Sequence, residues 1–404
     1  MVPPTVSAPA SRAERASQPL RPWYEPFEPE YCRELEQRTL GPIARHYFRP
    51  RLIGADRLPA TGPLILAANH SGNAFPYDAI MLDATLWRQD DLAAPRKVRS
   101  LFEPALARSW WMRPFGIDNF WRRGGGVDMT FDNFERLMQR GDRVLYFPEG
   151  VPGIGKGFNR RYQLQPFKTS FVIMAARHNA PVYPISVVNG EWILPFGYTV
   201  GGLDRIMQKV FGVPFLPLPI GLLGVVFPFM WYFAFPAHLI FVVGRPIDVR
   251  AMLWQEGVTD FDHPDRAAVR RVAERIRGVM QDELNDEVQL HGRSPFDLAT
   301  LWREIRGGSP SLGKILPPAW TVTMIRQDRD RHRRAARNRI LAALRDWDLL
   351  FFYLPFGWPF LSLVRWLRRP PYGYRGLEPE ERRDVQGGFL WKLSGRPLPP
   401  RPQS

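Results

Sequence analysis

The stretch PLILAANHSGNAFPYDAIML, residues 63–82, contains the change from strand to helix on which the predicted fold depends. Its first part is a short apolar run bounded by a Gly-Pro pair and a polar loop, which is typical of a buried strand. A helical pattern then begins at Asp78. Further strand patterns at 144–147 and 180–188 alternate with helical patterns. The sequence therefore predicts an α/β fold with a mixed, largely parallel sheet flanked by helices.

The composition is that of a globular protein with a large positive charge. The 404 residues are 45% hydrophobic, and 55 Lys and Arg against 40 Asp and Glu give a net charge of +15. Such a charge calls for a negative partner, either an anionic membrane surface, an acidic protein or nucleic acid. No zinc finger, helix-turn-helix or RNA-binding signature accompanies the charge, so we expect no nucleic-acid partner.

Cysteine usage and the N-terminus restrict the cellular context. Cys32 is the only cysteine, which excludes an internal disulfide framework and a cysteine-rich metal site. It lies in an acidic, predicted helical segment, and we expect an inert thiol. Residues 1–22 are rich in Pro, Ser and Ala and lack the apolar core of a secretory signal, so we expect disorder there and a cytoplasmic location. We predict no metal site and no cofactor.

The chain divides into three predicted parts: a disordered and helical lead (1–48), an α/β domain (49–290) and a basic, apolar extension (291–404). The extension places a strongly basic helix before a tryptophan-rich apolar run. This pattern suits a helical element embedded in one face of a membrane, with Trp347, Trp358 and Trp366 at headgroup level. A hairpin bent at 355–359, one kinked span and a buried helical pair are the alternatives.

A second apolar run covers residues 211–243 and is long enough to suggest a membrane span. Five prolines break it into pieces. Because a broken helix leaves backbone groups unpaired in lipid, we expect this run to lie in the membrane interface or to line an apolar tunnel. A true span is the alternative.

Two side chains beside the first loop suit proton transfer. His70 opens the loop at the end of the predicted strand, and Asp78 stands in the first turn of the helix. An imidazole titrates near neutral pH, and a carboxylate beside it fixes its tautomer and stabilises the imidazolium, so the pair suits general-base catalysis. Alternatively, Asp78 is a helix N-cap and His70 a loop residue bonded to backbone.

Another loop, YFPEGVPGIGKGF at residues 146–158, has the glycine and lysine spacing of a nucleotide-binding P-loop. The Ser or Thr that should follow Lys156 is replaced by Gly157, and no helical pattern begins there. A P-loop needs both, because the hydroxyl binds magnesium and the helix N-terminus faces the phosphates. The sequence therefore argues against nucleotide binding.

Four short blocks in order resemble the glycerolipid acyltransferase family, of the lysophospholipid (1-acylglycerol-3-phosphate) acyltransferase type. That family carries an Asn-His-x4-Asp block after a strand, a Gly-x5-Arg block, a Phe-Pro-Glu-Gly block and a later strand with a central proline. The corresponding residues here are Asn69, His70 and Asp78; Gly116 to Arg122; Phe147 to Gly150; and Pro184. The run from Glu149 to Lys156 is also similar to a bacterial form of the third block. The resemblance covers roughly residues 50–290 and implies an acyltransferase domain over 49–290.

The sequence departs from the family pattern in two places. Seven residues separate His70 from Asp78 instead of four, so the loop must bulge for the pair to meet, and Asp83 is the alternative partner. The arginine that usually follows the third block is missing from residues 151–153. A phosphate on the acceptor would then have to be bound by other basic residues, which are Arg122, Arg123, Lys156, Arg160, Arg161 and Lys168.

The resemblance implies direct transfer of an acyl group to a hydroxyl. His70 would take the hydroxyl proton, Asp78 would orient His70, and Glu149 would position the acceptor. Backbone near Gly150 or Gly72 would stabilise the oxyanion. The substrate-contacting residues implied in this way are Asn69, Arg122, Glu149, Gly150, Lys156, Arg160 and Lys168. No Gly-x-Ser-x-Gly elbow and no cysteine near the motifs is present, so we expect a ternary complex without a covalent acyl-enzyme.

The function expected from these residues is a membrane-associated acyltransferase of phospholipid metabolism. It would move a fatty acyl group from acyl-CoA or acyl carrier protein to a lysophospholipid or related glycerolipid, at the cytoplasmic side of the cell membrane and without a span or with one kinked span. Two alternatives stay open: a non-catalytic membrane-binding scaffold on the same fold, and a lipid or thioester hydrolase.

Overall fold

The computed structural model describes residues 27–72, 75–103, 120–198, 220–307, 316–332 and 338–368. Its strands are β1 Arg51–Ile53, β2 Leu64–Ala68, β3 Arg99–Phe102, β4 Val127–Asp128, β5 Arg143–Tyr146, β6 Val182–Val188 and β7 Ile240–Val243. They form one seven-stranded sheet in the order β1-β7-β6-β2-β5-β3-β4. Only β6 and β7 pair antiparallel among these neighbours. The predicted mixed, largely parallel sheet is confirmed.

Helices flank the sheet on both faces. They are α1 Pro29–Leu35, α2 Gly41–Ile43, α3 Tyr77–Gln89, α4 Phe120–Arg123, α5 Phe131–Gln139, α6 Val151–Ile154, α7 Ser170–His178, α8 Ile220–Val226, α9 Val249–Gln255, α10 Arg266–His291, α11 Leu298–Arg306, α12 Pro317–His332, α13 Arg339–Arg345 and α14 Trp358–Arg368. Two π-helical segments, Glu36–Leu40 and Ala44–Phe48, continue α1 and α2. The second of these segments ends at Phe48.

Strand β2 is buried on both faces, as its continuous apolar run predicts. Leu64, Leu66 and Ala68 belong to a core that includes α3 and part of the C-terminal extension. Ile65 and Ala67 belong to a second core with α5, α7, α9 and α10. β2 is therefore the central strand of the domain, and the loop that follows it starts from a fixed point.

The sheet register places the loops after β2 and β5 side by side. Ala67 of β2 lies opposite Tyr146 of β5, and Ala68 lies opposite Ile185 of β6. Because these strands are parallel, their carboxyl ends meet at the same edge of the sheet, where α/β proteins bind their ligands. Both predicted chemical motifs leave the sheet at this edge.

The C-terminal extension packs against the α/β domain with part of its apolar surface. Trp320, Phe352 and Trp358 are buried in the same core as Leu64. The prediction that Trp358 lies at headgroup level is wrong, because its Nε1 donates to the Gly224 carbonyl at 2.9 Å inside the protein. Trp347 is partly exposed, and the side chain of Trp366 lies outside the described residues.

The two apolar runs contain only short helices where the structure describes them. In the described ranges, no helix is both long and apolar enough to cross a bilayer. From residue 220 onward, the first run forms α8, a 3-10 turn at Pro228–Tyr232 and β7. Its start at 211–219 and the predicted disordered residues 1–22 lie outside the described residues.

The Cys32 thiol is expected to be unreactive in the folded protein. Its Sγ donates to the Arg123 carbonyl at 3.3 Å, and burial raises the pKa of the thiol to about 12. A thiol reacts with disulfide reagents through its thiolate. We therefore expect no reaction with Ellman's reagent at pH 8 in native buffer and one thiol per chain in guanidinium. Native reaction at the rate of a free cysteine would contradict the burial.

Candidate active site

The loop between β2 and α3 brings His70 and Asp78 into hydrogen-bond contact. His70 Nδ1 lies 2.8 Å from Asp78 Oδ2, which also accepts the Ser71 backbone N–H at 2.8 Å. The Asp78 side chain is fully buried, whereas 13% of the His70 side chain is exposed. With the carboxylate as acceptor, Nδ1 carries the proton and Nε2 holds the lone pair that a general base needs. The seven-residue separation does not keep the pair apart.

The structure shows neither of the two alternatives predicted for this loop, which were Asp78 as the helix N-cap and Asp83 as the partner of His70. Pro76 occupies the N-cap position of α3, so Asp78 is not the capping residue. Asp83 pairs with Lys97 and accepts the Ser100 hydroxyl at 3.0 Å. Asp78 is therefore the carboxylate that contacts the imidazole.

Glu149, directly after β5, connects the two loops. Its Oε1 accepts the His70 backbone N–H at 2.9 Å, and its Oε2 accepts the Gln165 N–H at 2.6 Å. Burial raises the pKa of Glu149, and the charge of Lys156 and the two amide donors partly offset this rise. We predicted that Glu149 bonds an acceptor hydroxyl. The geometry differs, because the carboxylate is fully buried and both oxygens bind the protein's own amides. Glu149 holds His70 in place.

The glycines that follow Glu149 have conformational and packing roles. Gly150 has φ +59° and ψ −146°, a backbone conformation that other residues rarely adopt. Its N–H donates to the Phe147 carbonyl at 2.9 Å, so the Gly150 amide itself is not a free donor for an oxyanion. The prediction had named backbone near Gly150 or Gly72. A Cβ on Gly153 would lie 2.6 Å from Glu149 Cβ and 3.0 Å from His70 Cβ. Gly153 therefore allows the second loop to pack directly against the base.

Gly153→Ala is expected to lower the free energy of unfolding by about 1–3 kcal/mol, the usual cost of overpacking a filled site. The added methyl group has no free space, since both contacted atoms belong to the packed site. Gly278→Ala in α10 is the matched control. Its added Cβ meets nothing within 4 Å, so we expect a gain of up to about 1 kcal/mol from helix propensity. Urea unfolding measures both, and equal effects of the two substitutions would contradict the close packing.

Asn69 binds the neighbouring strand. Its Nδ2 donates to the Val187 carbonyl at 3.1 Å, and its Oδ1 accepts the Val187 N–H at 2.6 Å. The side chain is 1% exposed. We predicted that Asn69 contacts a substrate, but in the structure both polar atoms of its side chain bind the backbone of Val187. Asn69 instead joins the end of β2 to β6 and fixes the backbone that precedes His70.

Two of the basic residues predicted to bind a phosphate are buried and form ion pairs. Arg122 binds Asp128 through two hydrogen bonds of 3.0 and 2.7 Å. Arg123 binds Glu28 at 3.1 Å and lies over the Tyr31 ring. Gly116, which opens the same block, lies outside the described residues. The structure thus gives Arg122 and Arg123 structural partners within the protein.

Lys156 is also buried, between two carboxylates. Its Nζ lies 3.2 Å from Glu191 Oε1 and 3.9 Å from Glu149 Oε2, and the three side chains have no exposed surface. Burial lowers the pKa of Lys156, but the charges of Glu191 and Glu149 outweigh this and raise it above the ordinary value. Lys156 therefore stays charged, and its charge compensates the charges of two buried carboxylates. The structure thus gives Lys156 this role in place of the predicted substrate contact.

The exposed basic residues lie on the segment after Lys156. Arg160, Arg161 and Lys168 are exposed to solvent. Gln165, which is bound by Glu149, lies between them in the chain. Of the basic residues predicted to bind a phosphate, these three are the ones that lie exposed at the surface.

Two residues that contact the site were given no role in the sequence analysis. The Phe147 ring packs on the His70 ring with centroids 4.4 Å apart, and its place in the Phe-Pro-Glu-Gly block was the signal that could have identified it. Glu191 accepts the Tyr162 N–H at 3.1 Å besides pairing with Lys156. It stands in no motif, so nothing in the sequence indicated its position behind the site.

The sequence model of the acyltransferase family matches residues 49–188. This segment contains β2, the His70–Asp78 pair and Glu149. Residues 49–188 belong to the acyltransferase family. The chain is also similar to curated mycobacterial proteins described only as uncharacterized. Those of Mycobacterium tuberculosis and Mycobacterium bovis are 30% identical over 218 residues, which is 52% of this chain and 57% of theirs.

A Mycobacterium leprae protein, also described as uncharacterized, is 32% identical over 267 residues. The match covers 64% of this chain and 65% of that protein, so the chain spans less than two thirds of the length of these relatives. Among solved structures, the 1-acyl-sn-glycerophosphate (LPA) acyltransferase PlsC of Thermotoga maritima matches with 15% identity and a TM-score of 0.36. That match covers 63% of this chain and 79% of the other. At this score the superposition supports no statement about substrate.

Proposed function

We propose that the protein transfers a fatty acyl group from acyl-CoA or acyl carrier protein to a hydroxyl of a lysophospholipid or related glycerolipid. The observation that carries this proposal is the contact of 2.8 Å between His70 Nδ1 and Asp78 Oδ2. It lies at the carboxyl edge of the sheet, inside the acyltransferase domain. A buried carboxylate that holds a partly exposed imidazole is the arrangement that general-base catalysis requires.

The proposed reaction needs one base and two substrates. His70 Nε2 takes the proton from the acceptor hydroxyl as its oxygen attacks the thioester carbon. The tetrahedral intermediate then collapses, the carbon–sulfur bond breaks, and the imidazolium returns the proton to the leaving thiolate. The products are an ester and a free thiol, and Asp78 stabilises the imidazolium between the two steps. The one cysteine, Cys32, donates to Arg123 in another part of the core, which supports transfer without an acyl-enzyme.

Surface charge supports a phosphate-bearing substrate. Arg160, Arg161 and Lys168 are exposed on a segment that Glu149 holds next to His70 through Gln165. Arginine and lysine bind phosphate groups of a lysolipid or of CoA, and equally the acidic surface of a carrier protein. We assign these three residues to substrate binding, in place of Arg122 and Lys156.

We also propose that residues 49–290 are the acyltransferase domain and that residues 291–404 associate with the membrane. The protein would work at the cytoplasmic side of the cell membrane. The net charge of +15 supports attraction to an anionic surface.

The proposal is tested by incubating the purified protein in mixed micelles with radiolabelled acyl-CoA, or acyl carrier protein, and a panel of lysophospholipids and neutral acceptors. We expect label in one acylated lipid, which then identifies the acceptor. Free fatty acid that forms equally with and without an acceptor would indicate a hydrolase. No product with any donor and acceptor would indicate a non-catalytic scaffold. Either outcome overturns the proposal.

A further inference from the structure

The segment 340–367 of the extension carries a continuous series of exposed apolar side chains, which we call the outer face. Its large apolar members are between 39% and 71% exposed. They come from α13, from a 3-10 turn at Trp347–Phe352, from the following bend and from α14. Representative members are Ile340, Leu344, Leu350, Phe356, Phe360 and Leu367.

The charged residues at 345–348 point the other way. Asp346 and Asp348 are buried and bind Arg329 at 2.9 and 2.6 Å. Arg345 binds Asp346 and also Asp330 on α12. The charges are thus neutralised inside the extension while leucine and phenylalanine face outward, which is the reverse of a water-exposed surface.

Helix α14 has apolar side chains on two sides, one buried and one exposed. Trp358, Leu361 and Val364 are buried against the protein, yet Phe360 and Leu363 on another side are exposed. A helix that is apolar on both sides needs an apolar environment on both. The protein core covers one side, so the other requires a partner.

The charge pattern along the chain selects the partner. In the sequence, residues 331–339 hold five arginines and no acidic residue, and Arg368 and Arg369 follow the apolar run at its other end. In the sequence, arginines thus precede and follow the apolar segment. This order matches a bilayer, whose acyl region receives apolar side chains and whose anionic headgroups attract arginines. We propose that the outer face docks on an anionic lipid bilayer, without spanning it.

The outer face is also coupled to the active site through packed residues. The Phe356 N–H donates to the Val226 carbonyl at 2.6 Å, and α8 leads into the turn that holds Tyr232. Tyr232 packs on Phe352, and its carbonyl accepts the Tyr77 hydroxyl at 2.7 Å. Tyr77 directly precedes Asp78. Docking would therefore hold the acyltransferase domain at a fixed distance from the lipid bilayer. On the proposed function, this bilayer supplies the acceptor.

The test compares Leu350→Glu combined with Phe356→Glu against a matched pair, Trp254→Glu combined with Leu290→Glu. All four side chains are at least 63% exposed. The control residues lie on α9 and α10, which pack on the opposite face of the sheet. Binding is measured by sedimentation with vesicles of phosphatidylcholine, with and without phosphatidylglycerol. We expect wild type and control to bind the anionic vesicles, and the outer-face variant to bind at least about a hundredfold more weakly, because two large apolar contacts are lost.

Three results would overturn the proposal. Equal loss of binding in the control variant would mean that vesicle binding does not depend on the outer face. Unchanged vesicle binding with a lower melting temperature in the outer-face variant would mean that another part of this chain covers the face. A wild-type dimer that the outer-face variant converts to a monomer, with no vesicle binding in either, would identify a second copy as the partner.

Activity separates this inference from the proposed function. With a monomeric, water-soluble lysolipid the outer-face variant should transfer acyl groups at the wild-type rate, and with the same acceptor embedded in vesicles it should be slow. If wild type binds vesicles and transfers nothing in either format, the proposed function fails and docking stands. If the variant is equally fast in both formats, docking fails and the function stands.

Discussion

His70→Ala should reduce kcat/KM for acyl transfer about a thousandfold, within the range expected for removal of a positioned general base. The imidazole is the group in contact with Asp78 that retains partial exposure, so it alone of the pair can reach a substrate. Without it the acceptor hydroxyl must attack with its proton in place. The rate is measured with saturating donor and the acceptor identified in the panel.

Two further variants test whether the loss of activity is specific to the His70–Asp78 pair. His263→Ala changes a histidine whose side chain is 81% exposed on the surface, and the rate should not change. Asp78→Asn should lose about a hundredfold or more, because an amide that donates to Nδ1 would place the imidazole in the wrong tautomer. A His70→Ala variant as active as wild type would remove the catalytic assignment.

Lys156→Met should lower the free energy of unfolding by about 3–5 kcal/mol, the usual cost of leaving buried charge unpaired. Its ammonium lies between Glu191 and Glu149, which have no exposed surface. Removing the ammonium leaves two carboxylates close together in a region that water does not reach. Urea unfolding followed by circular dichroism gives the difference.

The control for this substitution is Lys168→Met, at an exposed lysine in the same segment, where we expect a change within about 0.5 kcal/mol. Adding Glu191→Gln to Lys156→Met should recover part of the loss, since one carboxylate charge is removed while an acceptor remains for the Tyr162 N–H. A Lys156→Met protein as stable as wild type, but with a raised KM, would restore the substrate contact that the sequence predicted.

The sequence predicts the chain near His70 well because the signals there are local. The apolar run of β2, the polar loop and the helix that starts within a residue of Asp78 are neighbours along the chain, and strand and helix periods are read from neighbours. The order of the four blocks likewise depends only on sequence. Whether Asp78 reaches His70 across seven residues depends on the conformation of the loop, which no periodicity describes.

The errors concern residues whose partners are distant in sequence. Lys156 reads as a surface charge or a phosphate ligand, because Glu191 is 35 residues further along the chain and no motif links them. Glu149 looks like a substrate contact until the register of β2 and β5 places it under the His70 amide. Trp358 fits a membrane interface by composition, but its partner Gly224 comes from a separate part of the chain.

The most direct test of the proposed acyl transfer is the ratio of acylated lipid formed to thiol released by the purified protein. Direct transfer predicts one acylated lipid per thiol, and no thiol release when the acceptor is omitted. Thiol release without an acceptor, matched by free fatty acid or by a labelled acyl group retained on the protein, would contradict direct transfer to an acceptor.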